Sequence, residues 1–197
     1  MAKAPTYNPD SVSDAQTAGI RHIGIGTCSS GKMREYLRKK GFNGSVINEA
    51  VSELIRREYI DDDRAGRKVL LYRSGKKQES RRFLKERLYA AGIRSEVSDI
   101  LMSEVEEDTV LCFNLYLSVR PEAESAEEAL AAEEELMKLA SKRGFNSETA
   151  RTAYGKWLEE VLKAWHRIDA DDRRQAVFQT GGCSDGPLQR RTKPQFF

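Results

Sequence analysis

The chain has 197 residues, a formal net charge of +2, 39% hydrophobic residues and 32% charged residues. That length and apolar content suit one domain or one short array of repeats with a modest core. Three widely spaced cysteines (Cys28, Cys112 and Cys183) without a CxxC pair, and only two histidines, argue against a structural zinc site. The chain contains no signal-peptide core and no apolar run long enough to span a bilayer. We therefore expect a cytoplasmic, reduced protein that binds no membrane, metal or cofactor.

Hydrophobic periodicity and capping residues predict an all-α chain. Residues 1–14 read as a flexible lead-in, and helices are predicted over 15–26, 29–41, 45–58, 64–73, 78–91, 96–107 and 109–119. Pro121 ends the last of these, and an acidic helix then leads into the apolar positions Leu136 and Ala140. A final amphipathic helix is predicted over 147–167, and residues 168–197, which lack an apolar period, read as a mobile tail.

One pattern recurs three times along the chain. A glycine is followed at once by a large apolar residue, and leucine, methionine or alanine residues precede it by eight and four positions. The three pairs are Gly41-Phe42, Gly92-Ile93 and Gly144-Phe145, so the glycines lie 51 and 52 residues apart. Three copies at nearly constant spacing indicate a helical tandem-repeat protein.

Each of these glycines has a predicted structural role between two helices. The chain must stop and turn there, which suits a glycine in the left-handed region just after a helix. Gly44, Ser95 and Ser147, three residues further on, are acceptable caps for the next helix. The apolar residue after each glycine should then fall into the corner and fix it by hydrophobic contact.

These corners define the predicted domain organisation. We assign residues 15–60 to repeat 1, residues 61–107 to repeat 2 and residues 108–167 to repeat 3, with an acidic linker at 121–135. The predicted fold is therefore all-α, with three tandem three-helix repeats forming an elongated, curved array.

Charge is segregated along the chain. Residues 64–94 contain eleven lysines and arginines but only two acidic residues, whereas residues 95–135 contain thirteen acidic residues but only one arginine. The first segment suits phosphate or an acidic protein surface, and the second would be repelled by nucleic acid. On the predicted helix 78–91, Arg82, Lys85 and Tyr89 share the face opposite the apolar positions. The alternative is an ordinary solvated helix face whose cations lie along apolar surface.

Two weaker signals concern phosphate and metal. Residues 26–33, GTCSSGKM, nearly match a phosphate-binding loop, but Met33 replaces the magnesium-binding hydroxyl and no buried strand precedes the loop. The repeat offers another account, in which Ser29 caps a helix and Met33 is a core residue. Asp61, Asp62 and Asp63 are adjacent and lack the alternating spacing of a calcium loop. We expect neither a nucleotide site nor a metal site.

The order of these motifs resembles the bacterial RecX regulatory proteins. The resemblance covers roughly residues 15–165. It departs from the family at Ala65, where an aromatic residue is usual, at the following Gly66, and in the long acidic linker. The residues that carry it are Ser29, Met33, Leu37, Gly41-Phe42, Tyr59-Ile60-Asp61-Asp62, Ser80, Leu84, Leu88, Gly92-Ile93 and Arg143-Gly144-Phe145-Asn146.

The resemblance implies a non-enzymatic protein that binds the RecA recombinase filament and modulates, usually by inhibition, its ATPase and strand-exchange activity in recombination and DNA repair. Family members are thought to lie in the groove of the RecA–DNA filament, where single- or double-stranded DNA would supply phosphate contacts. We would expect a monomer. On this reading the candidate contacts are Arg67, Lys68, Arg73, Lys76, Lys77, Arg81, Arg82 and Lys85.

Two other functions remain open from the sequence. A helix-turn-helix module that enters the major groove would bind duplex DNA without a recombinase, although the acidic segment argues against it. An enzyme is the least favoured reading, because no nucleophile–base pair and no metal cluster can be recognised.

Overall fold

The computed structural model describes residues 7–123 and 125–179, with side chains as far as residue 165. The predicted all-α class is confirmed, since this part of the chain contains helices and no strand. The helices are α1 (Val12–Ile23), α2 (Ser30–Lys39), α3 (Gly44–Arg56), α4 (Asp62–Tyr72), α5 (Arg81–Ala90), α6 (Ser95–Ser103), α7 (Asp108–Val119), α8 (Ala126–Ala131), α9 (Glu133–Lys142) and α10 (Ser147–Gln179), with a 3-10 turn at Gly75–Lys77 between α4 and α5.

Several predicted boundaries differ from the structure, among them the start of α5, at Arg81 rather than residue 78, and the end of α6, at Ser103 rather than residue 107. Helix α1 begins at Val12, inside the predicted lead-in, because the Ser11 side chain accepts a hydrogen bond from the Asp14 backbone N–H at 3.1 Å. Residues 121–135 contain α8 and the start of α9, which are separated at Ala132. Helix α10 continues to Gln179 and so includes residues 168–179 of the predicted tail. Residues 1–6 and 180–197 lie outside the described residues.

The three predicted corners share one geometry. Gly41, Gly92 and Gly144 have φ of 90°, 74° and 86° and follow α2, α5 and α9. After each glycine the next backbone N–H donates to a carbonyl five residues earlier, as in Phe42 to Leu37 at 3.3 Å. The glycine N–H itself donates three residues back, which completes a Schellman motif at all three helix ends. Phe42, Ile93 and Phe145 are buried, as the sequence predicts.

The buried apolar side chains form two separate clusters. One is built from α1, α2, α3 and Ile60, with Met33, Leu37 and Leu54 among its fully enclosed members. The other extends from Leu84 in α5 to Val161 in α10. Helices α7 and α10 pack together in this second cluster.

Trp157 is the largest fully buried side chain of the described residues, and it belongs to the second cluster. Its indole N–H donates to the Arg120 carbonyl at 2.8 Å, which satisfies the one polar group of this side chain.

Polar contacts connect the start of α4 to α2 and the start of α7 to α5. Asp62, in the first turn of α4, accepts hydrogen bonds from the Ser30 backbone N and Oγ, both at 2.7 Å. Asp108, which begins α7, accepts a hydrogen bond from the Arg81 backbone N at 2.7 Å. Asp62 at the start of α4 therefore caps α2, and Asp108 at the start of α7 caps α5.

The glycine corners take part in the same junctions. The Gly31 N–H donates to the Gly92 carbonyl at 2.9 Å, and the Ser80 N–H donates to the Arg143 carbonyl at 3.0 Å. Each contact joins the start of one helix to a later glycine corner, at Gly92 itself in the first case and at the residue before Gly144 in the second, and the tandem repeat arrangement stays a prediction. The elongated, curved shape stays a prediction.

Candidate binding surface of the basic segment

The predicted contact residues lie on α4, the 3-10 turn and α5, but they do not form one continuous patch. An α-helix turns about 100° per residue, so residues two apart, such as Lys85 and Arg87, point to nearly opposite sides of α5. Arg82 and Lys85 border a concavity that α6 completes through Asp99. Lys68, Arg73 and Arg87 instead line a cleft on the other side, between α4 and α5.

Arg81 is a structural residue, which corrects its place among the predicted contacts. Its guanidinium donates to the Met102 carbonyl at 2.9 Å and the Glu106 carbonyl at 3.2 Å, and also to the Val105 carbonyl. These groups lie at and beyond the end of α6, where carbonyls lack partners within the helix. Arg81 therefore connects α5 to the end of α6 and is not available for phosphate.

Arg67 and Lys85 form ion pairs on the surface. The Arg67 guanidinium lies 2.9 Å from Asp63 and 2.7 Å from Glu104, and these carboxylates raise its pKa above the ordinary value. Lys85 pairs with Asp99 at 2.9 Å. Exposed pairs of this kind contribute little stability, because solvent screens their charges. To bind an external anion, Lys85 would have to break only its ion pair with Asp99, whereas Arg67 would have to break ion pairs with two carboxylates.

A buried carboxylate that the sequence analysis did not single out organises the opposite side of α5. Glu79 is only 3% exposed and accepts hydrogen bonds from Arg87 at 3.0 Å and from Arg73 at 3.4 Å. Hydrogen bonds to Glu79, and then the negative charge of that carboxylate, raise the pKa of Arg87. A carboxylate with this little exposure needs such partners. Its one sequence signal was its position as one of two acids within the basic segment.

Tyr72 brings an aromatic ring to the same surface. The ring is 61% exposed, and the Lys77 Nζ lies 4.0 Å from its centroid, with the Arg73 guanidinium 5.3 Å away. A hydrogen bond from Lys77, together with the two positive charges, lowers the pKa of the Tyr72 hydroxyl. Lys77 and Arg73 are thereby held beside an exposed ring.

The remaining candidates differ in what they contact. Arg82 stacks over the Phe83 ring at 4.9 Å. Lys76 contributes its backbone carbonyl to Arg143 at 3.1 Å, while Lys68 forms no ion pair with another described residue. Among the predicted contacts, the side chains without an ion pair to a carboxylate within residues 7–123 and 125–165 therefore include Lys68, Lys76, Lys77 and Arg82.

No protein-family model matches this chain, and no curated protein matches it. The function must therefore be argued from the residues and their geometry.

The residues of the near-match to a phosphate loop are used in structural contacts. Ser29 caps α2 by accepting from the Lys32 N–H at 3.3 Å, and its hydroxyl donates to the Ala91 carbonyl at 2.5 Å. The Gly31 N–H donates a hydrogen bond to the Gly92 carbonyl. A phosphate loop needs such backbone N–H groups to be free for the phosphate, so the capping interpretation is the better one.

The aspartate cluster is likewise accounted for within the fold. Asp61 caps α4 by accepting from the Arg64 N–H at 2.9 Å, Asp62 is buried at the junction, and Asp63 pairs with Arg67. Over the described residues no group of three or more potential ligand side chains is placed to hold a metal ion. No helix in that part of the chain has the length and apolar content needed to cross a membrane.

Proposed function

We propose that this protein is a non-enzymatic regulator that binds the RecA recombinase filament and inhibits its ATPase and strand-exchange activity. The proposal rests on the resemblance to the RecX proteins. Its main support is that each residue group carrying that resemblance has a defined role in the fold. The Gly-apolar pairs form identical corners, Ile60 is buried, Asp61 caps α4 and Asp62 joins α4 to α2.

Exposed cations on α4, the 3-10 turn and α5 would supply the contacts to the filament. The cations that have no carboxylate partner in the described structure include Lys68, Lys76, Lys77 and Arg82, and Lys85 has only an exposed one. Contacts of this kind to DNA phosphates position a protein without reading sequence and weaken as salt rises. The acidic helices α8 and α9 would face away from DNA.

The helix-turn-helix alternative is less well supported. In a unit of that kind the second helix reads base edges in the major groove. If α5 and α6 formed such a unit, α6 would be its second helix, but α6 carries Glu96 and Asp99 and contains no lysine or arginine. These carboxylates would repel the phosphates that line the groove.

The deciding experiment measures the single-stranded-DNA-dependent ATP hydrolysis of RecA from the same host at substoichiometric amounts of this protein. We expect inhibition well below a one-to-one ratio, because a regulator that acts on filament ends or on nucleation affects many subunits. Absence of any effect on ATP hydrolysis and strand exchange would refute the proposal. Tight, salt-dependent binding to bare duplex in that case would favour the DNA-binding module.

Charge-reversed variants test whether the exposed cations of α5 or those of the 3-10 turn make the contact. The double variants Arg82→Glu/Lys85→Glu and Lys76→Glu/Lys77→Glu change exposed groups, and Arg151→Glu/Lys156→Glu on α10 is the matched control. We expect at least one of the first two to reduce inhibition about tenfold, while the control inhibits as the unmodified protein does. Helix content by far-ultraviolet circular dichroism should be the same for all three. If all three inhibit normally, the basic segment is not the contact surface.

A further inference from the structure

A cleft of about 610 Å³ lies between the start of α2, one side of α4 and the end of α5. Such a volume is within the range of sites that take a drug-sized ligand, roughly 300–1,000 Å³. Small side chains create the concavity, since Ala65, Ala90 and Ala91 line it together with Cys28 and Val69. The three alanines form an apolar floor, while Thr27 and Ser29 add hydroxyl groups to the lining, of which the Ser29 hydroxyl already donates to the Ala91 carbonyl.

The walls of this cleft are cationic. Lys32, Lys68, Arg73 and Arg87 contribute to the lining, and no carboxylate does. Neighbouring carboxylates partly offset them: Glu79 binds both arginines, Glu35 pairs with Lys32 at 3.2 Å and also with Lys39, and the charge of Glu86 acts on Arg87. Four cations against these three carboxylates, one of which is shared with Lys39, leave an excess of positive charge at the mouth of an apolar recess.

The backbone of α2 does not add anion-binding groups to the cleft. The first N–H groups of this helix are already bonded: Ser30 to Asp62, Gly31 to the Gly92 carbonyl and Lys32 to Ser29. Recognition of an anion would therefore fall to the lysine and arginine side chains. Tyr72, with its exposed ring, adds an aromatic edge beside them.

We propose that this cleft binds an acidic segment of a partner protein, which inserts one aromatic side chain over Ala65 and Ala90. Carboxylates on either side of that aromatic residue would then meet Lys68, Arg73 and Arg87. A buried aromatic anchor within a charged rim is the usual construction of a peptide-binding hot spot. The inference does not depend on the partner being a recombinase.

A nucleic acid fits this cleft less well. Phosphate and sugar would leave the alanine floor unfilled, and a base inserted there would bury polar edges without hydrogen-bond partners, which costs free energy. A phenylalanine ring has no such groups and gains by leaving water. Charge complementarity and apolar shape therefore both favour an acidic peptide with one aromatic residue.

The test measures fluorescence anisotropy of a dye-labelled peptide, DEDFEDE, on the full chain, together with the same peptide carrying alanine in place of phenylalanine. We expect saturable binding of the first peptide and at least tenfold weaker binding of the second. Lys68→Glu should weaken binding of the first peptide about tenfold, as should Ala65→Trp, which fills the floor. Lys156→Glu, an exposed lysine on α10, is the control and should bind as the unmodified chain does.

Several results would overturn the proposal. One is no saturable binding up to about 1 mM peptide, the weak limit of specific association. Another is equal affinity of the chain and Lys68→Glu, a substitution at the surface that does not disturb the core. Stronger, Lys68-dependent binding of an oligothymidine than of the peptide would assign the cleft to single-stranded nucleic acid. Self-association in sedimentation experiments that Lys68→Glu abolishes would assign it to the acidic segment of a second copy.

Discussion

Replacing Asp62 with alanine tests whether the junction between α2 and α4 depends on this carboxylate. Asp62 is 4% exposed and accepts hydrogen bonds from the Ser30 backbone N and Oγ at 2.7 Å and from the Arg94 Nε at 3.0 Å. Ser30 is fully buried, so its two donors would lose their partner without gaining water.

The expected cost follows from these contacts. A hydrogen bond to a charged group contributes about 1.5–3 kcal/mol, and two such bonds from Ser30 are lost. The Arg94 side chain is substantially exposed and regains water, so its pair adds only about 0–1 kcal/mol. Because such values are not additive, we expect the free energy of unfolding to fall by about 3–4 kcal/mol.

Urea unfolding followed by far-ultraviolet circular dichroism provides the measurement. With a slope of about 2–3 kcal/mol per molar urea, the loss corresponds to a midpoint lowered by roughly 1.5 M. The neighbouring Asp63 is the matched control: it is exposed and pairs only with Arg67 at 2.9 Å, so Asp63→Ala should cost less than about 1 kcal/mol. If Asp62→Ala lost no more than Asp63→Ala, the assignment of Asp62 as the junction residue would be refuted.

Three further perturbations have distinct expected outcomes. Gly31→Ala should destabilise by more than about 1 kcal/mol, because its Cβ would lie 2.6 Å from the Gly92 Cα, whereas Gly44→Ala meets nothing within 4 Å and should be neutral or stabilising in the same urea assay. Arg81→Ala should cost about 1–3 kcal/mol and Arg82→Ala less than about 0.5, and equal losses would contradict the structural role of Arg81. Burial raises the pKa of the Cys112 thiol to about 11 from an ordinary 9.0, so its stabilising contribution is complete below pH 9 and lost as pH rises to 11. Burial also raises the pKa of the Cys28 thiol, so unfolding measured from pH 8 to 11 should show a smaller loss in Cys112→Ala than in the unmodified chain, and an identical profile would argue against the role of Cys112.

The corners and the apolar core were predictable because their signals are local. Gly41, Gly92 and Gly144 share a neighbour pattern that lies within one helix and its exit, and helical periodicity placed Leu84 and Trp157 inside. The separation of α8 from α9 at Ala132 was missed, since alanine favours helix and nothing in the sequence marks a break there.

The binding surface was less predictable because its charge pairing is tertiary. Arg67 meets Glu104, which lies 37 residues away, and Arg81 meets carbonyl groups beyond α6. A count of charges along the chain cannot show these partners. The division of the surface at α5 was predictable, because helical periodicity alone places Lys85 and Arg87 on nearly opposite sides of that helix.

The division of the core into two clusters has a consequence for how the molecule opens. Leu54 and Leu84 belong to different clusters, so the first three helices are joined to the rest through hydrogen bonds and backbone contacts. Cooperative opening propagates through continuous apolar packing, and a polar junction is a natural place for it to stop. Amide hydrogen exchange should therefore resolve two classes of slowly exchanging N–H groups, one on α2 and α3 and one on α7 and α10. A partner that held both sides of the junction would merge them into one.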